Sequence, residues 1–157
     1  MIESEKIKQL LEEKYGFLKG EIRVQRKNRI WAEVSYSEFS QVFDHAVKNL
    51  DFIFIATITG LDEGENLAFI YHLYRKDGIV FSLKTRVLKD KGAIQSITNY
   101  FPGAAIYERE LVDLFGAKVE NLPEGPHYPL PDDWPGDQHP LRKDWDKSVL
   151  GGTSNAG

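Results

Sequence analysis

Cysteine is absent from this 157-residue chain, and that gap removes more chemistry than any other feature of it. Without a thiol there is no disulfide, no cysteine-ligated zinc and no cysteine-held iron–sulfur cluster on the polypeptide. Long apolar runs are missing too, since none approaches the roughly eighteen residues of a membrane-crossing helix. The opening Met1-Ile2-Glu3-Ser4-Glu5-Lys6 lacks the basic-then-apolar layout of a signal peptide, so a soluble chain that stays in the cytoplasm is expected. An excess of positive charge is also lacking. Twenty Lys and Arg stand against 24 Asp and Glu, a net charge of −4, and the basic residues are scattered, which excludes a nucleic-acid footprint. There is no phosphate loop, no internal repeat and no local Ser-His-Asp or Cys-His signature. Proline is missing from the first 101 residues; all seven lie at or beyond Pro102, six of them between 123 and 140.

The proline-poor part reads as one domain of alternating elements. Residues 3 to 14 put Ile7, Leu10 and Leu11 on one face of a helix stopped by Gly16. Gly20 to Arg26 and Arg29 to Ser35 alternate as a hairpin about Lys27-Asn28, with Trp31 on the face away from Ile30 and Val34. Ser35 to Glu38 fits a capping box, behind which Phe39, Val42, Phe43, Ala46, Val47 and Leu50 recur at three and four residues, leaving His45 on the polar side. The unbroken apolar run from Asp51 to Thr59 predicts a strand buried on both faces and central in its sheet. Leu67 to Tyr74 and Ile79 to Val87 form a hairpin through Asp77-Gly78, with His72 placed for packing. A short helix is expected over Ala93 to Tyr100, broken at Phe101-Pro-Gly103. The order α-β-β-α-β-β-β predicts an α+β fold, a two-layer α/β sandwich on a mixed sheet of about five strands.

Ala104 to Phe115 has the length and apolar spacing of a further helix, with Gly116 at the left-handed cap. Arg109 lies one turn before Asp113, and Glu110 shares that face, so a solvated, salt-bridged helix side is expected. The proline-spaced stretch beyond must run extended. It nevertheless carries Tyr128, Leu130, Trp134, Leu141 and Trp145, which need a surface to cover. Residues 1–117 are therefore taken as the domain and 118–157 as a partner-binding arm whose end, from Gly151, frays.

The stretch from Phe69-Ile-Tyr-His-Leu through Tyr107-Glu-Arg-Glu-Leu-Val-Asp-Leu-Phe-Gly116 to His139-Pro-Leu-Arg-Lys-Asp144 resembles the thirty-kilodalton subunit family of respiratory complex I, the NADH-quinone oxidoreductase, and its relatives in membrane-bound, energy-converting nickel–iron hydrogenases. Quinone-linked members carry His-Pro followed closely by paired arginines after the Phe-Gly. This chain has Leu122-Pro-Glu-Gly-Pro-His-Tyr-Pro129 instead, which points to the hydrogenase-type branch or a sulfur-reducing complex. The resemblance implies a non-catalytic peripheral subunit on the cytoplasmic side of the membrane. Its partners would be the large catalytic subunit and the iron–sulfur subunit, which carry the clusters and any nickel–iron site while this chain carries no cofactor.

The residues expected to meet those partners are Tyr107, Glu108, Arg109, Glu110, Asp113, Phe115 and Gly116 on the helix, and Trp134, His139, Pro140, Leu141, Arg142, Lys143, Asp144 and Trp145 on the arm. Aromatic anchors would fill pockets, and Arg142 would fork onto a partner's carboxylate. Two other readings remain. One is a small stand-alone enzyme using Glu108, Glu110 and Asp113 as acid and base. The other is a metal site built from His127, His139, Asp132, Asp133 and Asp137, though no ligand motif supports it.

Overall fold

A computed structural model describes residues 1–150; the tail from Gly151 on, expected to fray, lies outside them. Helix α1 (Glu3–Lys14) buries Ile7 and Leu11, while Leu10, expected on the same face, is half exposed. Strands β1 (Ile22–Arg26) and β2 (Arg29–Glu33) form the hairpin. Helix α2 (Tyr36–Asn49) starts at its capping box, where the Glu38 carboxylate accepts from the Ser35 N–H at 3.2 Å and the Ser35 hydroxyl at 2.6 Å. Strands β3 (Phe54–Asp62), β4 (Asn66–Tyr74) and β5 (Val80–Leu88) complete a sheet of order β1-β2-β5-β4-β3. All its pairs are antiparallel except β2 with β5, so the sheet is mixed, as predicted.

The alternation of β5 shows how the layers form. Phe81, Leu83 and Thr85 point into the core, and Ser82, Lys84 and Arg86 point away. Across the ladder Leu73, Tyr71 and Phe69 lie opposite Phe81, Leu83 and Thr85 and share the inner face. On that face Phe39 and Phe43 of α2 meet the Tyr71 ring at 4.6 and 5.7 Å. The other face is polar in its centre, where His72 bridges Thr59 at 3.1 Å and Ser82 at 2.8 Å. Trp31 lies on this face, half-buried, with the Arg23 guanidinium over its ring.

Two sequence expectations fail here. The apolar run from 51 to 59 does not make a central strand. Asp51 turns with φ 58°, Phe52 plugs the core, and the strand that follows is an edge paired only to β4. Continuous hydrophobicity reflected two buried side chains, Phe52 and Ile58, and an exposed edge, with Ile53 42% and Phe54 36% exposed. The short helix expected over Ala93 to Tyr100 is instead strand β6 (Ala93–Gln95) followed by turns. It pairs in parallel with β7 (Lys118–Glu120), a strand not anticipated, which begins one residue after the boundary drawn at 117.

Helix α3 (Ala105–Phe115) is entered through a 3₁₀ turn, Pro102–Ala104, and packs on β3 at Gly60. A Cβ on Gly60 would lie 2.6 Å from Phe115 and 2.8 Å from Leu111, closer than packed carbon atoms approach. Glycine is required there for proximity. Gly60→Val is expected to push α3 off the sheet and cost about 1–3 kcal/mol, read as a lower urea midpoint with an unchanged slope. An unaltered midpoint would refute this account of the α3 contact.

Candidate functional site

Helix α3 ends as its sequence predicts. Gly116 adopts φ 66°, its N–H donates to Val112 O, and the Ala117 N–H donates back to Leu111 O. What lies along the helix differs from the solvated face expected. Glu108 is fully buried, and its carboxylate accepts from the Ile97 N–H at 2.7 Å and the Ser96 hydroxyl at 2.6 Å. Burial pushes its pKa up, while these two donors pull against the shift. The segment after β6 turns around this carboxylate, which explains why no helix forms there.

Asp113 is buried too, and it gathers the arm. Its carboxylate accepts from His127 Nδ1 at 2.9 Å, the Tyr128 N–H at 2.8 Å and the Leu130 N–H at 3.3 Å. The expected Arg109–Asp113 pair is not made. Arg109 instead reaches over Gly125 to donate to the carbonyls of Pro123 and Glu124, both at 3.2 Å. Glu110 and Tyr107 remain half-buried, and Tyr107 packs against the core cluster.

The His139-to-Asp144 segment then closes the end of α3. The last carbonyls of a helix lack intrahelical donors and carry the negative end of its dipole. Here Asp113 O accepts from His139 Nδ1 at 2.9 Å, Leu114 O from the Leu141 N–H at 2.9 Å, and Phe115 O from Arg142 Nε at 2.6 Å. Pro140, with no N–H to offer, sits between the two donors. The His139 ring stacks so tightly over Gly116 that a Cβ there would lie 2.5 Å from it. Arg142 also pairs with Asp90 at 3.0 Å, so the fork foreseen for a partner's carboxylate is occupied within this chain.

Beyond Arg142 the Lys143 N–H donates to Asp62 at 2.8 Å, and Lys89 bridges Asp62 at 2.7 Å and Asp144 at 3.2 Å. Burial alone would raise the Asp62 pKa, but Lys89, the Lys143 N–H and the Gly64 N–H outweigh it and hold the carboxyl low. The arm's tip is tied to itself through Gln138, whose backbone and side-chain oxygens accept from the indoles of Trp134 and Trp145 at 2.8 and 2.9 Å. Asp62, Lys89, Asp90 and Gln138 escaped the sequence reading. Asp62 turns the chain by accepting from the Gly64 N–H, and its second oxygen receives the arm.

The expected site residues are therefore brought together, with Glu108, Arg109, Asp113, Arg142 and Asp144 all bonded inside the chain. Among the described residues no three imidazole or carboxylate side chains converge as a metal would need. Two large apolar side chains of the arm, Leu141 and Tyr128, are 51% and 46% exposed, among exposed charged residues that include Asp132, Asp133, Asp137, Lys143 and Asp144.

Removing the Glu108 carboxylate strands the buried Ile97 N–H, a loss of about 1–3 kcal/mol. Glu108→Ala should lower the melting temperature of the isolated chain, whereas Glu108→Gln keeps an acceptor and should recover most of it. Equal melts for all three forms would show that the carboxylate is not buried as described.

The Asp113 carboxylate raises the His127 pKa, first through their hydrogen bond and then through its charge. A raised imidazole pKa makes the pair's stabilisation complete below the unfolded value of about 6.5 and lost as pH rises through the folded value. NMR titration of the His127 ring should give a midpoint above about 6.5 that falls in Asp113→Asn. A midpoint that ignores the substitution would show the pair to be absent in solution.

Comparison with known proteins accords with this geometry. The model of the family described as "Respiratory-chain NADH dehydrogenase, 30 Kd subunit" matches residues 32–149. A subunit of the F(420)H(2) dehydrogenase of Methanosarcina mazei is 33% identical over 121 residues, 75% of this chain and 76% of that protein. Hydrogenase-4 component G of Escherichia coli is 44% identical over 62 residues, 40% of this chain but 11% of that longer protein. Among solved structures, a chain of the membrane-bound sulfane sulfur reductase, an archaeal respiratory membrane complex, superposes with a TM-score of 0.79 at 26% identity, covering 94% of this chain and 88% of that one. The clasp between α3 and the His139 segment lies inside the matched span, and the chain belongs to the 30 Kd subunit family of respiratory-chain NADH dehydrogenase.

Proposed function

We propose that this chain is a non-catalytic subunit of the peripheral arm of a complex I-related oxidoreductase of the membrane-bound hydrogenase type. In this role it docks on the large catalytic subunit and steadies the electron-transfer module. The observation that carries the reading is the clasped arm, fixed to α3 and Asp62 by polar contacts while two large apolar side chains, Leu141 and Tyr128, are left exposed on it. Exposed apolar anchors held on a preformed backbone bind with little ordering cost, as a docking surface should. The absence of cysteine supports electrons passing through other chains. No helix among the described residues is long and apolar enough to cross a membrane, so contact with the cytoplasmic membrane face is assigned to other subunits. The sequence Leu122 to Pro129 favours the hydrogenase type over the equivalent subunits of NADH-quinone oxidoreductases and sulfur-reducing complexes.

The test is extraction of the tagged chain in mild detergent followed by mass spectrometry of what accompanies it. A nickel-binding large subunit is expected. A flavin-binding NADH module would reject the hydrogenase branch, and recovery of the chain alone would overturn the docking role. Leu141→Asp should leave the melt unchanged and weaken retention by about one to two decades in affinity. Stoichiometric iron or nickel on the purified chain would refute the assignment of all redox groups to its partners.

A further inference from the structure

The two edges of the five-stranded sheet are built in opposite ways. β1 is five residues long, carries Arg23 and Arg26, and breaks register between Val24 and Arg26. Short length, charge and a bulge are the devices by which proteins keep an edge from pairing with another chain. β3 has nine residues, and from Phe52 to Leu61 the sequence Phe-Ile-Phe-Ile-Ala-Thr-Ile-Thr-Gly-Leu contains neither a charge nor a proline. Its one irregularity lies near its start, between Ile55 and Thr57, and from Thr57 to Asp62 its pairing with β4 is unbroken. Phe54, Ala56 and Leu61 are exposed along it.

Among the described residues no strand pairs with the free side of β3. Helix α3 meets β3 where a Gly60 side chain would project, which is the face of the sheet and not its rim. The rim thus offers a row of unpaired N–H and C=O groups flanked by apolar side chains. A helix cannot satisfy such a row, because its own backbone groups are already paired. Only an extended backbone presents donors and acceptors at strand spacing, and about six residues of it span about 20 Å. The charge-free flanks require that its neighbouring side chains be uncharged as well.

We propose that the free edge of β3 is completed in the assembled complex by an extended segment of another subunit, uncharged and alternately apolar, added as a sixth strand antiparallel or parallel to β3. This rests on the chain acting as a subunit of a larger complex. Strand addition of this kind takes affinity from main-chain hydrogen bonds and specificity from alternate side chains. The contrast with β1 is the reason for the choice: one edge is guarded and the other is left open.

The experiment pairs hydrogen exchange with a charge placed on the edge. Amides of residues 54–62 should exchange at least tenfold more slowly in the purified complex than in the isolated chain. The double substitution Ala56→Lys and Leu61→Lys, both at exposed positions, should leave circular dichroism and the melt of the free chain unchanged and reduce its recovery with the complex at least tenfold. Equal exchange in both states, or full recovery of the double variant, would overturn the proposal while leaving the docking role standing. A wild-type chain that recovers no partner would count against the docking role itself and, with it, this inference. A concentration-dependent dimer of the free chain that the double variant abolishes, with complex recovery intact, would assign the edge to a second copy and also overturn it.

Discussion

A helix that stops in the middle of a protein leaves carbonyls with nowhere to turn, and α3 stops at Gly116 with three of them in need of donors. The arm meets that need. His139, the Leu141 N–H and Arg142 reach the carbonyls of residues 113, 114 and 115 in order, with positive or partly positive groups at the negative end of the dipole. Everything that gives the C-terminal third its shape follows from this arrangement. Gly116 is without a side chain both because its φ is positive and because the His139 ring lies against it. Asp113 points back from the same turn and collects the first half of the arm, so one turn of helix holds both ends of a loop rich in proline.

Proline-rich chain cannot pair with itself, which is why it takes its donors and acceptors from elements already folded. The same need accounts for the buried acids. Glu108 satisfies the Ile97 N–H and the Ser96 hydroxyl, Asp113 satisfies two arm amides and an imidazole, and Asp62 satisfies the Lys143 amide beside Lys89. Each is a carboxylate taken out of water only because several donors converge on it. The arm is thus held at two acids, Asp113 and Asp62, and at the three carbonyls that end α3, with Glu108 fixing the segment beside them.

Local patterns in the sequence were legible where local physics decides the outcome. The Ser35–Glu38 box, the three-and-four spacing of α2, the Asp77-Gly78 turn and the stop at Gly116 each depend on residues within a few positions of one another. The failures are nonlocal. The run from 51 to 59 looked central because two buried side chains, Phe52 and Ile58, and an unguarded edge produce the same string of apolar letters as a strand covered on both sides. Asp113 was placed on the solvated side and Glu108 offered to a partner because an acid's residue type predicts exposure, and only the chain folded against them reverses that. The contact of Lys143 with Asp62 joins positions 81 residues apart, and no spacing rule reaches that far.

That reversal changes what can serve as an interface. A charged helix side and the Arg142 fork looked like the docking chemistry of the chain, yet Arg109, Arg142, Glu108 and Asp113 all have partners within it. Breaking the contacts of Glu108 and Asp113 to offer their charges elsewhere would leave buried groups unmatched, at a cost of about 1–3 kcal/mol for each unsatisfied group. What the fold leaves uncovered for the proposed association is Leu141 and Tyr128 on the clasped arm and the open rim of β3. Under the proposed docking role, the polar groups that hold the arm in place would keep Leu141 and Tyr128 exposed on a backbone already ordered by the chain's own contacts.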